Sequence, residues 1–231
     1  MSNEKKPVVL LEDVRKVFKT RAGPFEALRG INLRIEEGEF VGVVGPSGSG
    51  KSTLINMVTG IDRPTSGEVH VAGERLTNMS ENQVARWRGR NVGVVFQFFQ
   101  LLPTLTVLEN LLMPMNYCGT YKGQRTDRAM EMLELVDVPD IANKYPSQIS
   151  GGQQQRAAIA RALVNDPKVI VGDEPTGNLD TVSAGLVFAL FEELVDQGKT
   201  IIMVTHDDDI ADRAHRRILL RDGEILSNTT S

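Results

Sequence analysis

One cysteine, Cys118, occurs in 231 residues. That excludes an internal disulfide and any cysteine-rich metal site, and it suits a reducing compartment. No apolar run approaches the roughly 20 residues that a membrane-spanning helix needs. A membrane role would therefore require spans from another chain. Positive charge is not in excess, since the formal net charge is −4. Bulk electrostatics gives no reason to expect a nucleic-acid partner. The start is not a secretory signal, because its apolar run is short and ends at Glu12. Neither an internal repeat nor a low-complexity segment is present, and only residues 1–6 and 228–231 read as loose ends. The chain is long enough for one large or two small domains with a sizeable core.

Within this ordinary composition, one segment stands out. Gly45, Pro46, Ser47, Gly48, Ser49, Gly50, Lys51, Ser52 and Thr53 fit the phosphate loop GxxxxGK[ST]. Residues 39–44 read as a buried strand before it, and residues 52–59 as a helix opening after it. Strand, glycine loop and helix is the context the motif needs. The glycines let backbone N–H groups close around phosphate oxygens, and the helix N-terminus adds a favourable dipole. Lys51 is placed to reach the β- and γ-phosphates, and Ser52 to offer its hydroxyl to Mg²⁺.

Two further motifs complete the chemistry. Val169-Ile-Val-Gly-Asp173-Glu174 is an apolar strand ending in two acids, the form of a Walker B site. A carboxylate at that strand end can hold Mg²⁺ through water, the role assigned to Asp173. Glu174 then faces the γ-phosphate as general base. Ser150, Gly151, Gly152 and Gln153 open another helix and form a second anion site. One nucleotide does not need two such sites, so the second makes sense if it serves the ATP of another subunit.

The rest of the chain gives an order of elements. Residues 7–20 alternate in part, as in an edge strand, and residues 27–35 and 67–73 are further strands of a small antiparallel layer. Residues 91–96 form another short strand. Residues 106–113, 125–136 and 152–165 carry helical periodicity, punctuated by Pro114, Pro139 and Pro146. Thr106 and Glu109 have capping-box spacing. Residues 168–172 and 199–204 are nearly continuous apolar runs of a parallel sheet, with a helix over 181–197 between them. Residues 217–226 read as a hairpin with Asp222-Gly223 at its turn. The expected fold is α/β: a P-loop ATPase core with a mainly parallel sheet, an antiparallel β layer and an inserted helical subdomain. As one domain over 1–231, its core covers about 7–97 and 161–227, and its helical part about 98–160.

Together these motifs resemble the ATP-binding cassette (ABC) ATPases. Gln148-Ile-Ser-Gly-Gly-Gln153 resembles the family's LSGGQ signature, with Ile149 in place of Leu. Residues 172–180, GDEPTGNLD, resemble the extended Walker B and D-loop, carried by Asp173, Glu174, Leu179 and Asp180. The resemblance places Gln97 as the Q-loop glutamine, acting on Mg²⁺ and water, and His206 as the switch histidine on the γ-phosphate. It places Phe18 against adenine, with Phe25 as a rival for that position. Residues 97–115, QFFQLLPTLTVLENLLMPM, resemble the lipoprotein-release and macrolide-exporter subfamily, with Gln100 for its usual Asn.

The resemblance implies a cytoplasmic ATPase, peripheral on the inner face of the cell membrane. Two copies would meet head to tail around two ATP and drive an integral membrane subunit on a separate chain. Phe98, Phe99, Leu101 and Leu102 suit contact with that partner's helix. The cargo stays open, and so does a cassette that regulates a membrane-bound cell-wall hydrolase. A DNA-repair-type ATPase would carry a long coiled coil before its signature. Only about a hundred residues separate Lys51 from Ser150, without sustained heptads.

Overall fold

A computed structural model describes residues 7–206, 211 and 213–230. Its centre is a six-stranded sheet in the order β10-β9-β3-β8-β7-β6. These strands are β3 (Phe40–Val44), β6 (Val92–Phe96), β7 (Val169–Asp173), β8 (Thr200–Val204), β9 (Arg216–Arg221) and β10 (Glu224–Thr230). All pairs are parallel except the β9–β10 hairpin. β3 and β8 are buried at every position, as strands covered on both faces must be. A second, antiparallel sheet has the order β2-β1-β4-β5, from β1 (Pro7–Thr20), β2 (Gly23–Glu36), β4 (Ser66–Val71) and β5 (Glu74–Arg75).

The period of two along each central strand divides the core into two halves. Val41 and Val43, Val169 and Val171, and Ile202 and Val204 face one way. There they meet the antiparallel sheet and α1 (Lys51–Thr59). Phe40, Ile170, Ile201 and Met203 face the other way, against α6 (Thr181–Asp196) and the helices between β6 and β7. Those helices are α3 (Val107–Cys118), α4 (Arg125–Leu135) and α5 (Gly151–Leu163). Leu111, Leu133 and Ile159 thus share one apolar cluster with the main sheet.

Several expectations need correction. β1 is not an edge strand, because β2 and β4 pair with its two sides. Alternation reports which faces are buried and says nothing about neighbours. α3 does not stop at Pro114 but runs through it to Cys118. An interior proline costs a helix about 3 kcal/mol. Burying Met115 and Cys118 on the stripe begun by Val107 and Leu111 offsets that, at about 1.5–3 kcal/mol for a side chain such as Met. Residues 228–230 are no loose end either, since Asn228, Thr229 and Thr230 pair with Ile218, Arg217 and Arg216. Their polarity marks a solvated strand, and residues 1–6 and 231 lie outside the described part. One helix was missed: α2 (Glu81–Asn91), capped by a Ser80–Gln83 box and burying only Val84 and Trp87. With so few apolar positions its periodicity was faint. The Thr106–Glu109 box caps α3 as its spacing suggests.

Candidate active site

The loop between β3 and α1 is built by close approach. A Cβ on Gly45 would fall 2.0 Å from the Leu220 carbonyl oxygen, and one on Gly50 2.6 Å from that of Ala27. Only glycine fits at either position. Lys51 is almost buried, and its Nζ donates to the carbonyls of Gly45 at 2.7 Å and Pro46 at 3.0 Å. The ammonium therefore bridges the loop from inside. Pro46, Ser47, Gly48 and Ser52 are exposed, while Ser49 is buried. The Ser49 hydroxyl has no partner, and its carbonyl accepts from the Gly223 N–H of the β9–β10 turn at 3.0 Å. A buried donor without a partner, an enclosed cation and an α1 first turn free of acids suit an anion with several oxygens.

Beside the loop lies a cleft of about 220 Å³. Gly48, Gly50, Lys51, Ser52 and Thr53 line one side; Phe18, Phe25 and Ala27 of the antiparallel sheet line the other. Both phenylalanines are exposed, Phe18 at 38% and Phe25 at 52%.

The ends of the parallel strands bring the acidic residues to the same edge. Register aligns Phe96 with Asp173, Asp173 with Val204, and Val204 with Val43. Gln97, Glu174 and Thr205 thus follow at one level beside the phosphate loop. Burial is the main cause that holds the Asp173 carboxyl above its ordinary range; Glu174 adds to the rise and Lys51 opposes it. Glu174 has a left-handed backbone, φ 49°, and its N–H donates to the Val204 carbonyl at 2.9 Å. A non-glycine residue rarely adopts that region, and it turns the side chain out of the strand line. Its Oε1 lies 3.0 Å from His206 Nδ1. Gln97 packs on Gly177, and its carbonyl accepts from Asn178 Nδ2 at 2.9 Å.

The SGG segment stands elsewhere. Ser150 caps α5, and its hydroxyl accepts from the Gln153 N–H while Gln153 Oε1 accepts from the Ser150 N–H. Ser150 and Gly151 are exposed. A Cβ on Gly152 would meet Ser183 Oγ at 2.9 Å. Asp180 caps α6, and the Ser183 hydroxyl, then the Ser183 N–H, hold its carboxyl below the usual range. The starts of α5 and α6 are therefore neighbours. None of Ser150, Gly151, Gly152 and Gln153 lines the cleft between Phe18 and the phosphate loop.

Two residues outside the expected set tie these parts together. Gln155 is fully buried, and its Nε2 donates to the Pro175 carbonyl, one residue beyond Glu174. Arg161 donates to the carbonyls of Phe99 and Gln100, fixing the segment after Gln97. Both positions there have positive φ, 31° and 54°. Burial pushes the Arg161 pKa down. The run of glutamines and the spaced arginines were visible in sequence, but their partners were not.

The pattern of the family described as "ABC transporter" matches residues 28–177. A lipoprotein-releasing system ATP-binding protein, LolD 1 of Chlorobium chlorochromatii, is 48% identical over 221 residues, covering 94% of this chain and 90% of the relative. The macrolide export ATP-binding/permease protein MacB of Shigella flexneri is 45% identical over 222 residues, which are 96% of this chain and 34% of MacB. Among solved structures, a dimeric post-hydrolysis state of an ATP-binding cassette bound to ADP and Pi superposes with a TM-score of 0.89. It is 41% identical in sequence, over 96% of this chain and 98% of that one. By its motifs, its strand-edge site and these likenesses, the chain belongs to the ABC transporter family, as an ATP-binding subunit that hydrolyses ATP.

Proposed function

We propose that two copies of this chain close head to tail around two ATP and drive a separate membrane subunit of the lipoprotein-release or macrolide-export type. One observation carries the reading. The phosphate loop has an open cleft that no signature residue lines, while the glycine-rich start of α5 is exposed at Ser150 and Gly151 and stands beside the start of α6 instead. A second copy supplies what each half lacks.

In this reading Phe18 stacks on adenine. Gly45, Pro46, Ser47, Gly48, Ser49, Gly50, Lys51, Ser52 and Thr53 hold the phosphates. Ser150, Gly151, Gly152, Gln153 and Asp180 complete the partner's site. Among the described residues no three His, Cys, Asp or Glu side chains cluster to hold a metal. The Ser52 hydroxyl, the Gln97 amide oxygen and Asp173 are oxygen donors of the kind Mg²⁺ takes alongside phosphate and water. When bound, Mg²⁺ would neutralise charge on the phosphates. Glu174 accepts a proton from the attacking water. His206, 3.0 Å from Glu174, orients that carboxylate and reaches toward the γ-phosphate.

The membrane contact is read from a groove of about 460 Å³, lined among others by Arg88, Leu102, Met113, Tyr117 and Arg161. Phe98, 71% exposed, precedes it in the same loop. No helix among the described residues is long and apolar enough to cross a membrane, so the spans would come from the partner. The likeness to ATP-binding subunits of transporters supports a place on the cytoplasmic face.

Ser150→Arg tests the dimer. Light scattering with ATP should show the variant locked as a monomer, whereas nucleotide titration should give wild-type affinity. A variant monomer that no longer binds ATP would refute the cross-subunit assignment. Pull-down from detergent extract tests the partner. A chain with few spans and a large outer domain is expected, and recovery of DNA in its place would overturn the transport reading.

A further inference from the structure

We infer that Phe25 is a second nucleobase-contacting residue, so that the base packs across Phe25 as well as Phe18. The inference rests on the reading of the Phe18 cleft as the nucleotide site. Phe18 and Phe25 are directly opposite in the β1–β2 pairing. Such residues point to one face of the sheet, with Cβ atoms about 4.5–5.5 Å apart. Both rings line the cleft that ends at the phosphate loop. Ala27, the unpaired residue of a β-bulge between Glu26 and Leu28, lines it too, and its carbonyl lies against Gly50. The bulged strand therefore leads from Phe25 to the phosphate cradle.

The two rings are not equivalent. The Lys16 ammonium sits 4.9 Å from the Phe18 ring centroid. That ammonium is itself held by Asp62 Oδ1 at 2.7 Å and the Arg63 carbonyl at 2.8 Å. Phe18 is thereby fixed and partly covered. Phe25 is the more exposed of the two, at 52%. Among the described residues its ring makes no stacking or cation contact. A large apolar ring left open beside an anion cradle is suited to a planar ligand with a charged tail, and base–aromatic stacking tolerates any base because each has a π-face.

Equilibrium titration of ATP and of inorganic tripolyphosphate separates base from phosphate contacts. Phe25→Ala should weaken ATP about 5- to 150-fold, the range expected when one stacking ring is removed. Tripolyphosphate affinity should stay within about two-fold, because the loop is untouched. Phe25→Trp should keep ATP affinity, and its fluorescence should respond to ATP and not to tripolyphosphate. ATP affinity unchanged in Phe25→Ala, or equal losses for both ligands, would overturn the proposal. Lys51→Ala distinguishes the deeper failure. Loss of both ligands in that variant supports the nucleotide site, and loss of neither would sink that reading and this one together.

Discussion

A charged Asp173 is unfavourable in the folded chain. Burial and the neighbouring Glu174 carboxylate both disfavour its charge, and Lys51 offsets them only in part. A carboxyl whose folded pKa is raised stabilises the fold below its unfolded pKa and loses that contribution as pH rises through the folded value. Asp173→Asn should therefore raise the melting temperature at pH 7. The gain should shrink as pH falls through the raised folded value toward 3.8, the ordinary value of the group, because the wild-type carboxyl takes up its proton over that window. Thermal scans across pH measure this, and a constant difference at every pH would contradict the stated cause. The same variant should bind ATP less tightly when Mg²⁺ is present, so stability and function pull in opposite directions at this residue.

At the scale of elements, what could be read from sequence depended on how local the cause was. The phosphate loop, the Walker B strand and the Thr106–Glu109 capping box depend on residues within a few positions, so their spacing is enough to reveal them. The alternation of β1 suggests an edge because its second neighbour, β4, arrives about fifty residues later. Pro114 is a local signal that points to an early end of α3, whereas the burial of Met115 and Cys118 that carries the helix on is set by distant packing. Gln155 illustrates the same limit, with its partner 20 residues away. It joins the signature helix α5 to the turn after Glu174, and its Oε1 is left without a partner. Gln155→Ala strands the Pro175 carbonyl and should lower stability by about 1–3 kcal/mol. The denaturation midpoint should fall, with ATP hydrolysis reduced more than ATP binding. A variant as stable and active as wild type would show that the α5–Pro175 contact is incidental.

For the whole molecule, the proposed cycle turns on one carboxylate. Glu174→Gln keeps the shape but removes the base, which contributes typically about 10²–10⁴-fold in rate. It also removes repulsion between the carboxylate and the γ-phosphate. With ATP and Mg²⁺ the variant should run as a long-lived dimer on gel filtration while releasing almost no phosphate. Wild type should pass through that dimer only transiently. Hydrolysis at the wild-type rate would take Glu174 out of the catalytic role.

The bracing of the phosphate loop by the β9–β10 hairpin sets an order on synthesis. β3 is flanked by β8 and β9, the Leu220 carbonyl backs Gly45, and the Gly223 N–H closes on Ser49. Every one of these supports is translated more than 150 residues after β3. Contacts so distant in sequence form late, after the intervening chain is in place. The segment proposed to grip nucleotide is thus among the first parts to leave the ribosome and among the last to take shape. A nascent chain halted before residue 216 would expose the motif without its cradle, and so could neither capture ATP nor be steadied by it.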